Sequence, residues 1–178
     1  ISITARLVAD LLATSGATHV MTMTLHSPQV HGFFSLPADP LSSRPAFNRH
    51  FATHDLSNTV VVAPDMGHAK SAARFAKSLG MPVAAGDKER VSDTEVEISG
   101  LVGNQVRGHK HALIYDDEIA TGGSMITLCR LLVKSGIDEI IVTCTHGRGG
   151  MRDLLFGSIA QQIVSQGTTP LLLIKPDL

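Results

Sequence analysis

Leu113-Ile114-Tyr115-Asp116-Asp117-Glu118-Ile119-Ala120-Thr121-Gly122-Gly123-Ser124-Met125 is the stretch on which the fold turns. A short apolar run, Ala112 to Tyr115, ends in two adjacent carboxylates, and a Thr-Gly-Gly-Ser turn then opens a helix. Ligands of open α/β sheets bind beyond the carboxyl ends of the strands, which is where these acids fall. The glycines permit close backbone approach, the turn's amides point at an anion, and two hydroxyls add donors. One loop can therefore hold a phosphate with its turn and a polyol with its acids, and a phosphorylated sugar carries both groups. Routine capping would explain Asp or Ser singly. It does not explain strand, acid pair and Gly-Gly turn in succession.

Outward from this segment the chain alternates helix and strand, which predicts one doubly wound α/β domain over residues 1–178 with a mostly parallel sheet and helices on both faces. Leu7, Val8, Leu11 and Leu12 recur at helical spacing and predict a helix over 2–15, stopped by Gly16. Strands are predicted at His19 to Met23, Thr59 to Ala63, Pro82 to Ala85, Glu95 to Leu101, Glu139 to Thr143 and Pro170 to Lys175. Further helices are predicted at 67–79, 123–135 and 151–166, the first two stopped by Gly80 and Gly136. The proline-rich stretch Pro37 to Pro45 predicts a loop, and Phe33 and Phe34 are expected in the core.

Composition narrows the class. The 178 residues are 43% hydrophobic and 17% charged with a net charge of −1, enough to fill a core and too balanced for a nucleic-acid or lipid-headgroup surface. The longest apolar runs, such as Leu171 to Ile174, are too short to span a bilayer. Cys129 and Cys144 lie in no paired motif and read as buried, reduced thiols of a cytoplasmic protein. The chain begins at Ile1 rather than Met, so an upstream segment is expected to have been removed.

The acid–glycine loop resembles the ribose 5-phosphate loop of type I phosphoribosyltransferases and of ribose-phosphate pyrophosphokinases. Four further segments, in order, favour the second group. Ile3 to Leu12 resembles the segment opening that family's C-terminal domain; Thr22 to His26 with Gln29 to Phe34 resembles its metal and ATP signature. Pro64-Asp65-Met66-Gly67-His68-Ala69-Lys70 resembles its diphosphate loop, and Asp87-Lys88-Glu89-Arg90 the start of its catalytic flexible loop. The resemblance runs from residue 1 to about 147.

It implies transfer of a diphosphate group from ATP to the C1 hydroxyl of ribose 5-phosphate, with magnesium, giving phosphoribosyl diphosphate and AMP. It further implies that Lys88 and Arg90 close over the transferring phosphates, and that Asp116 and Asp117 hold the ribose hydroxyls. Thr121, Gly122, Gly123 and Ser124 would take the 5-phosphate, Asp65, Gly67 and Lys70 the diphosphate, and His26 would lie by the metal or ATP. In that family an N-terminal half and neighbouring subunits complete the ATP site, so a homo-oligomer is implied. Three residues depart from the pattern. Thr24 replaces an Asp, and a hydroxyl is a poor magnesium ligand. Ala120 replaces an acid, and His68 replaces a glycine of the diphosphate loop. The remaining histidines, among them His31, His50, His54, His109 and His111, have no ligand spacing.

From His146 onward the chain resembles instead the C-terminal part of universal stress proteins, with Gly147, Gly157 and Ser158 matching a phosphate-contacting motif. That implies a hybrid with its seam at Thr145-His146-Gly147, although a glycine-rich helix entry and a last strand closing the sheet account for the same residues. Two other functions stay open: a phosphoribosyltransferase acting on phosphoribosyl diphosphate and a base, and a non-catalytic nucleotide- or phosphate-binding module.

Overall fold

The computed structural model of the chain describes residues 3–90, 96–119, 122–144, 146–147 and 171–174. The chain falls into two compact units, Ile1–Pro45 and Ala46–Leu178.

The first unit holds helix α1 (Ile3–Thr14), strands β1 (Val20–Met23) and β2 (Ala38–Leu41), and a short 3-10 helix, Pro28–Phe33, between the strands. β1 and β2 pair in parallel, Val20 opposite Ala38 and Met23 opposite Leu41. The predicted loop at Pro37 to Pro45 is therefore a strand followed by the start of a helix. Pro40 can occupy β2 because an edge strand of a two-stranded sheet can spare its N–H on the outer side. Phe33 and Phe34 are half-buried and lie outside the core. Of α1 only Ala9 is buried, while Leu7, Val8 and Leu11 stay about half exposed.

The second unit is built on a six-stranded sheet. Its strands are β3 (Thr59–Ala63), β4 (Val83–Arg90), β5 (Val96–Val102), β6 (His111–Tyr115), β8 (Glu139–Thr143) and β10 (Leu171–Ile174). Across the sheet the order is β10-β8-β6-β3-β4-β5, parallel throughout except for β5. This is the mostly parallel sheet expected, with α3 (Ala69–Ser78) on one face and α4 (Gly123–Lys134) on the other. A two-residue ladder joins β7 (Glu118–Ile119) to β9 (His146–Gly147). β10 takes the edge beside β8, as expected of the last strand; the helix predicted over 151–166 lies outside the described residues.

Side chains alternate across the central strands, so each face has its own core. Val60, Val62, Ala112 and Ile114 pack with Met125, Leu128 and Leu132 of α4. Val61, Ala63, Leu113 and Tyr115 pack with Phe75 and Ala76 of α3 and with Phe47 and Phe51 of α2 (Arg44–Phe51), a helix the sequence reading missed. The continuous apolar run of β3, buried at every position, needs cover on both sides, and the two helices supply it. β4 outruns its predicted end at Ala85. Its pairing with β3 stops there, but antiparallel pairing with β5 carries the strand on to Arg90.

Phe75 is fully buried, stacked on Tyr115 with ring centres 4.5 Å apart and edge-on to Phe51 at 6.2 Å. Phe75→Ala is expected to cost about 3–5 kcal/mol, read as a lower urea midpoint at an unchanged m-value. A loss under about 1 kcal/mol would mean that the aromatic cluster closes over the gap.

Candidate functional site

β3 and β6 are neighbours, Val62 opposite Ile114, yet the helices that follow them depart to opposite faces. Loops leaving adjacent strands in opposite directions open a crevice above the sheet, the usual ligand position in this architecture. The loop after β3 is Pro64 to His68; the loop after β6 carries Asp116 and Asp117.

The β3 loop is wound around one carboxylate. Asp65 Oδ1 accepts the backbone N–H of His68 at 3.1 Å, which fixes the turn leading into α3. A Cβ on residue 67 would sit 3.1 Å from that same oxygen, so glycine is what lets the loop close this tightly. Lys70 is exposed in the first turn of α3.

On the β6 side, Asp116 is buried at 8% exposure. Its N–H donates to Thr143 O on β8 at 3.1 Å, and its Oδ1 accepts the N–H of Asp117 at 2.8 Å. Farther on, Gly122 caps α4 at φ +79°, a left-handed conformation that a Cβ makes costly. Gly123 and Ser124 follow, exposed, in the first helical turn, whose N–H groups have no carbonyl partner within the helix. Thr121 lies outside the described residues.

A single imidazole joins the two loops. His68 places Nε2 2.9 Å from Asp117 Oδ1 and 3.8 Å from Asp116 Oδ1, while Nδ1 lies 3.2 Å from Asp65 Oδ1. The hydrogen bond to Asp117, with the negative field of Asp116, lifts His68 to about 9 despite its burial. Burial pushes Asp116 up to about 6, against the pull of His68. The structure thus brings together Asp65, Gly67, Asp116 and Asp117, and His68 with them. Sequence reading noted that residue only as a departure. The available signal was its position, one residue before a helix and one strand away from an acid pair.

Other expected residues stand elsewhere. The backbone puts Lys88 and Arg90 on β4 beyond the parallel sheet, opposite Ile98 and Val96 of β5. Their side chains lie outside the described residues. In the first unit, His26 is exposed on the turn after β1. Thr24 has φ +46°, and its hydroxyl donates to Ser43 Oγ and accepts the Ser43 N–H, both at 3.1 Å. That hydroxyl ties the turn to the end of β2. Thr24 and His26 supply a neutral hydroxyl and an imidazole where magnesium requires hard, charged oxygens, so this spot does not fit the ion. Cys129 and Cys144 are half-buried, and burial pushes the Cys129 thiol up to about 11.

A raised folded-state pKa favours the protonated form in the folded protein. His68 therefore stabilises fully below pH 6.5 and ceases to do so as pH climbs through about 9. Asp116 adds the same sign lower down, its contribution falling as pH passes from 3.8 to about 6. The unfolding free energy from urea titration should drop between pH 6.5 and 9 by an amount on the order of 2 kcal/mol, with a lower midpoint, and His68→Gln should flatten that drop. A parent midpoint constant across this window would show that the imidazolium contributes nothing.

Residues 43–154 match the phosphoribosyl transferase domain family, an interval containing both loops of the crevice. A ribose-phosphate pyrophosphokinase of Deinococcus radiodurans is 48% identical over 149 residues, 83% of this chain and 46% of that protein. One of Clostridium acetobutylicum is 40% identical over 174 residues, 95% of this chain and 54% of that protein. The crystal structure of phosphoribosylpyrophosphate synthetase from Mycobacterium smegmatis superposes with a TM-score of 0.77 at 30% identity, over 98% of this chain and 60% of that one. The chain thus spans about half the length of the curated relatives it matches. At 95% and 98% of its length, the last two alignments run past Gly147, where the sequence reading placed a seam. They lend no support to a universal stress protein segment at 146–178. With the matched interval covering most of the chain and both loops of the crevice inside it, the chain belongs to the phosphoribosyl transferase domain family.

Proposed function

We propose that the chain is the C-terminal catalytic part of a ribose-phosphate diphosphokinase, which transfers diphosphate from ATP to ribose 5-phosphate. The observation that carries this reading is the meeting of the β3 and β6 loops across one crevice, Asp65 and Asp117 being held by the same imidazole. A diphosphate loop set beside an acid–glycine loop offers places for both the donor's phosphates and the acceptor's ribose.

Each group has a task in this reading. The turn Thr121-Gly122-Gly123-Ser124 holds the 5-phosphate with backbone N–H groups and two hydroxyls. Asp116 and Asp117 accept hydrogen bonds from the ribose hydroxyls and fix the C1 oxygen in line with the β-phosphorus of ATP. That oxygen forms the new bond to the β-phosphorus. The bond from the β-phosphorus to the bridging oxygen breaks, AMP leaves with that oxygen, and the C1 hydroxyl proton passes to solvent. Asp65, Gly67 and Lys70 border the diphosphate, and Lys88 and Arg90 offset the charge spread over its oxygens in the transition state. Magnesium enters as the counter-ion of ATP, part of that substrate. His26 contributes to the ATP end, which neighbouring copies in a homo-oligomer complete. The setting is the cytoplasm, with both thiols reduced, and β10 serves to close the sheet edge beside β8.

With ATP, magnesium and ribose 5-phosphate, the chain by itself should release AMP at less than about 1 per second, since it spans only about half the length of the relatives it matches. Lys88→Ala should lower that rate further, by about 3–4 kcal/mol of transition-state stabilisation, with the KM for ribose 5-phosphate nearly unchanged. An unchanged rate would reduce Lys88 to a surface cation. By calorimetry, ribose 5-phosphate should bind more tightly than inorganic phosphate, and Asp117→Asn should narrow the gap. Equal affinities in the parent protein would leave only a general anion site.

A further inference from the structure

We propose that His68 is a displaceable internal counter-ion that makes the sugar-phosphate and diphosphate halves of the crevice bind cooperatively. This rests on the functional reading above and deepens it.

The argument starts from donor arithmetic. Both ring nitrogens of His68 face carboxylate oxygens, Nδ1 toward Asp65 and Nε2 toward Asp117. A neutral imidazole donates at one nitrogen only, whereas imidazolium donates at both. The geometry therefore calls for the cation, and the upward shift of its pKa agrees. Without ligand, the chain's own positive charge spans the two loops.

That position conflicts with ribose. Asp117 Oδ1, already taken by Nε2 at 2.9 Å, belongs to the carboxylate that the ribose hydroxyls are to engage. A sugar settling against Asp117 competes with the imidazole and pushes it aside. The displaced cation remains tethered at residue 68, the N-cap of α3, inside the loop that faces the diphosphate. A diphosphate drawn to that loop pulls on the same cation from the other side. Both ligands thus favour one and the same displacement, and whichever binds first breaks the His68–Asp117 contact on behalf of the second. That is positive coupling, and it is reciprocal.

The imidazole is not needed to hold the loop's shape. The turn into α3 uses the backbone N–H of residue 68, which any residue but proline at that position supplies to Asp65. Substitution can thus remove the counter-ion and keep the turn. Glycine, the residue the resemblance leads one to expect here, has no side chain to displace.

The test is calorimetric titration of ribose 5-phosphate into the full chain, with and without saturating inorganic pyrophosphate. It is run on the parent, His68→Gly and His68→Gln, each checked for cooperative thermal unfolding. In the parent, pyrophosphate should tighten ribose 5-phosphate binding by about 5-fold or more. In His68→Gly, ribose 5-phosphate alone should bind more tightly than to the parent, and pyrophosphate should no longer change its affinity. His68→Gln, which keeps a donor but not the charge, should fall between the two and serves alone if the glycine variant does not fold. Undiminished coupling in the variants, or no coupling in the parent, overturns the counter-ion role while leaving the functional reading intact. Failure of the parent to bind ribose 5-phosphate at all overturns both.

Discussion

The parallel pairing of β3 with β6 is the constraint from which the rest of the second unit follows. Both strands are buried on both faces, so each needs cover above and below the sheet. A parallel neighbour can be reached only by a crossover, and α3 and α4 cover opposite faces. Backbone leaving Ala63 and Tyr115 must therefore part directly above the strands. The crevice is a consequence of covering two faces from two adjacent strand ends, and it arises whatever polar residues stand there.

What stands there is the ground for the ligand proposed. Asp116 and Asp117 stand side by side after β6, both facing the His68 imidazole, and a bare anion set directly against these two acids would be repelled. The start of α4, with its orphan N–H groups and its left-handed Gly122, attracts an anion instead. A ligand suited to both ends carries hydroxyls at one and phosphate at the other. Burying Asp116 raises its pKa, and the cost of keeping it ionised is limited by the N–H it accepts from Asp117 and by His68. Polar groups and charges here are mutually dependent, so changing one alters the protonation of the others.

Much of this was legible in the sequence because local and long-range signals agreed. Ala112 to Tyr115 is an apolar run ending in acids, and Gly122-Gly123 followed by an amphipathic stretch predicts α4 nearly to the residue. Where tertiary pairing overrode local preference, the reading failed. Three prolines in Pro37 to Pro45 argue for a loop, yet β1 provides a parallel partner and Ala38–Leu41 forms a strand. Helix α2, Arg44–Phe51, shows little local apolar pattern, but its Phe47 and Phe51 are buried in the cluster with Phe75 and Tyr115. β4 extends beyond Ala85 only because β5 folds back on it, which no local pattern announces. His68 was visible as an unusual letter; its two carboxylate partners lie 3 residues back and 49 residues on, and only the fold brings the second within reach.

The same geometry divides the proposed labour between stiff and soft parts. Asp116 and Asp117 follow a strand flanked on both sides by parallel neighbours, β3 and β8, and packed on both faces, so moving them would disturb two cores at once. Lys88 and Arg90 stand past Ala85, where β4 has left β3 and keeps only β5 as a partner, with an irregular register between Asp87 and Lys88. One partner strand among the described residues holds this stretch where two hold β6, so its position is less tightly constrained. Recognition of a sugar phosphate benefits from acids that hold still. Charge stabilisation wanted only while phosphate is transferring benefits from cations that arrive late, since a contact made equally well in the ground state would tighten binding without raising turnover. Fixed acids on β6 and cations on a ribbon are the arrangement that this difference favours.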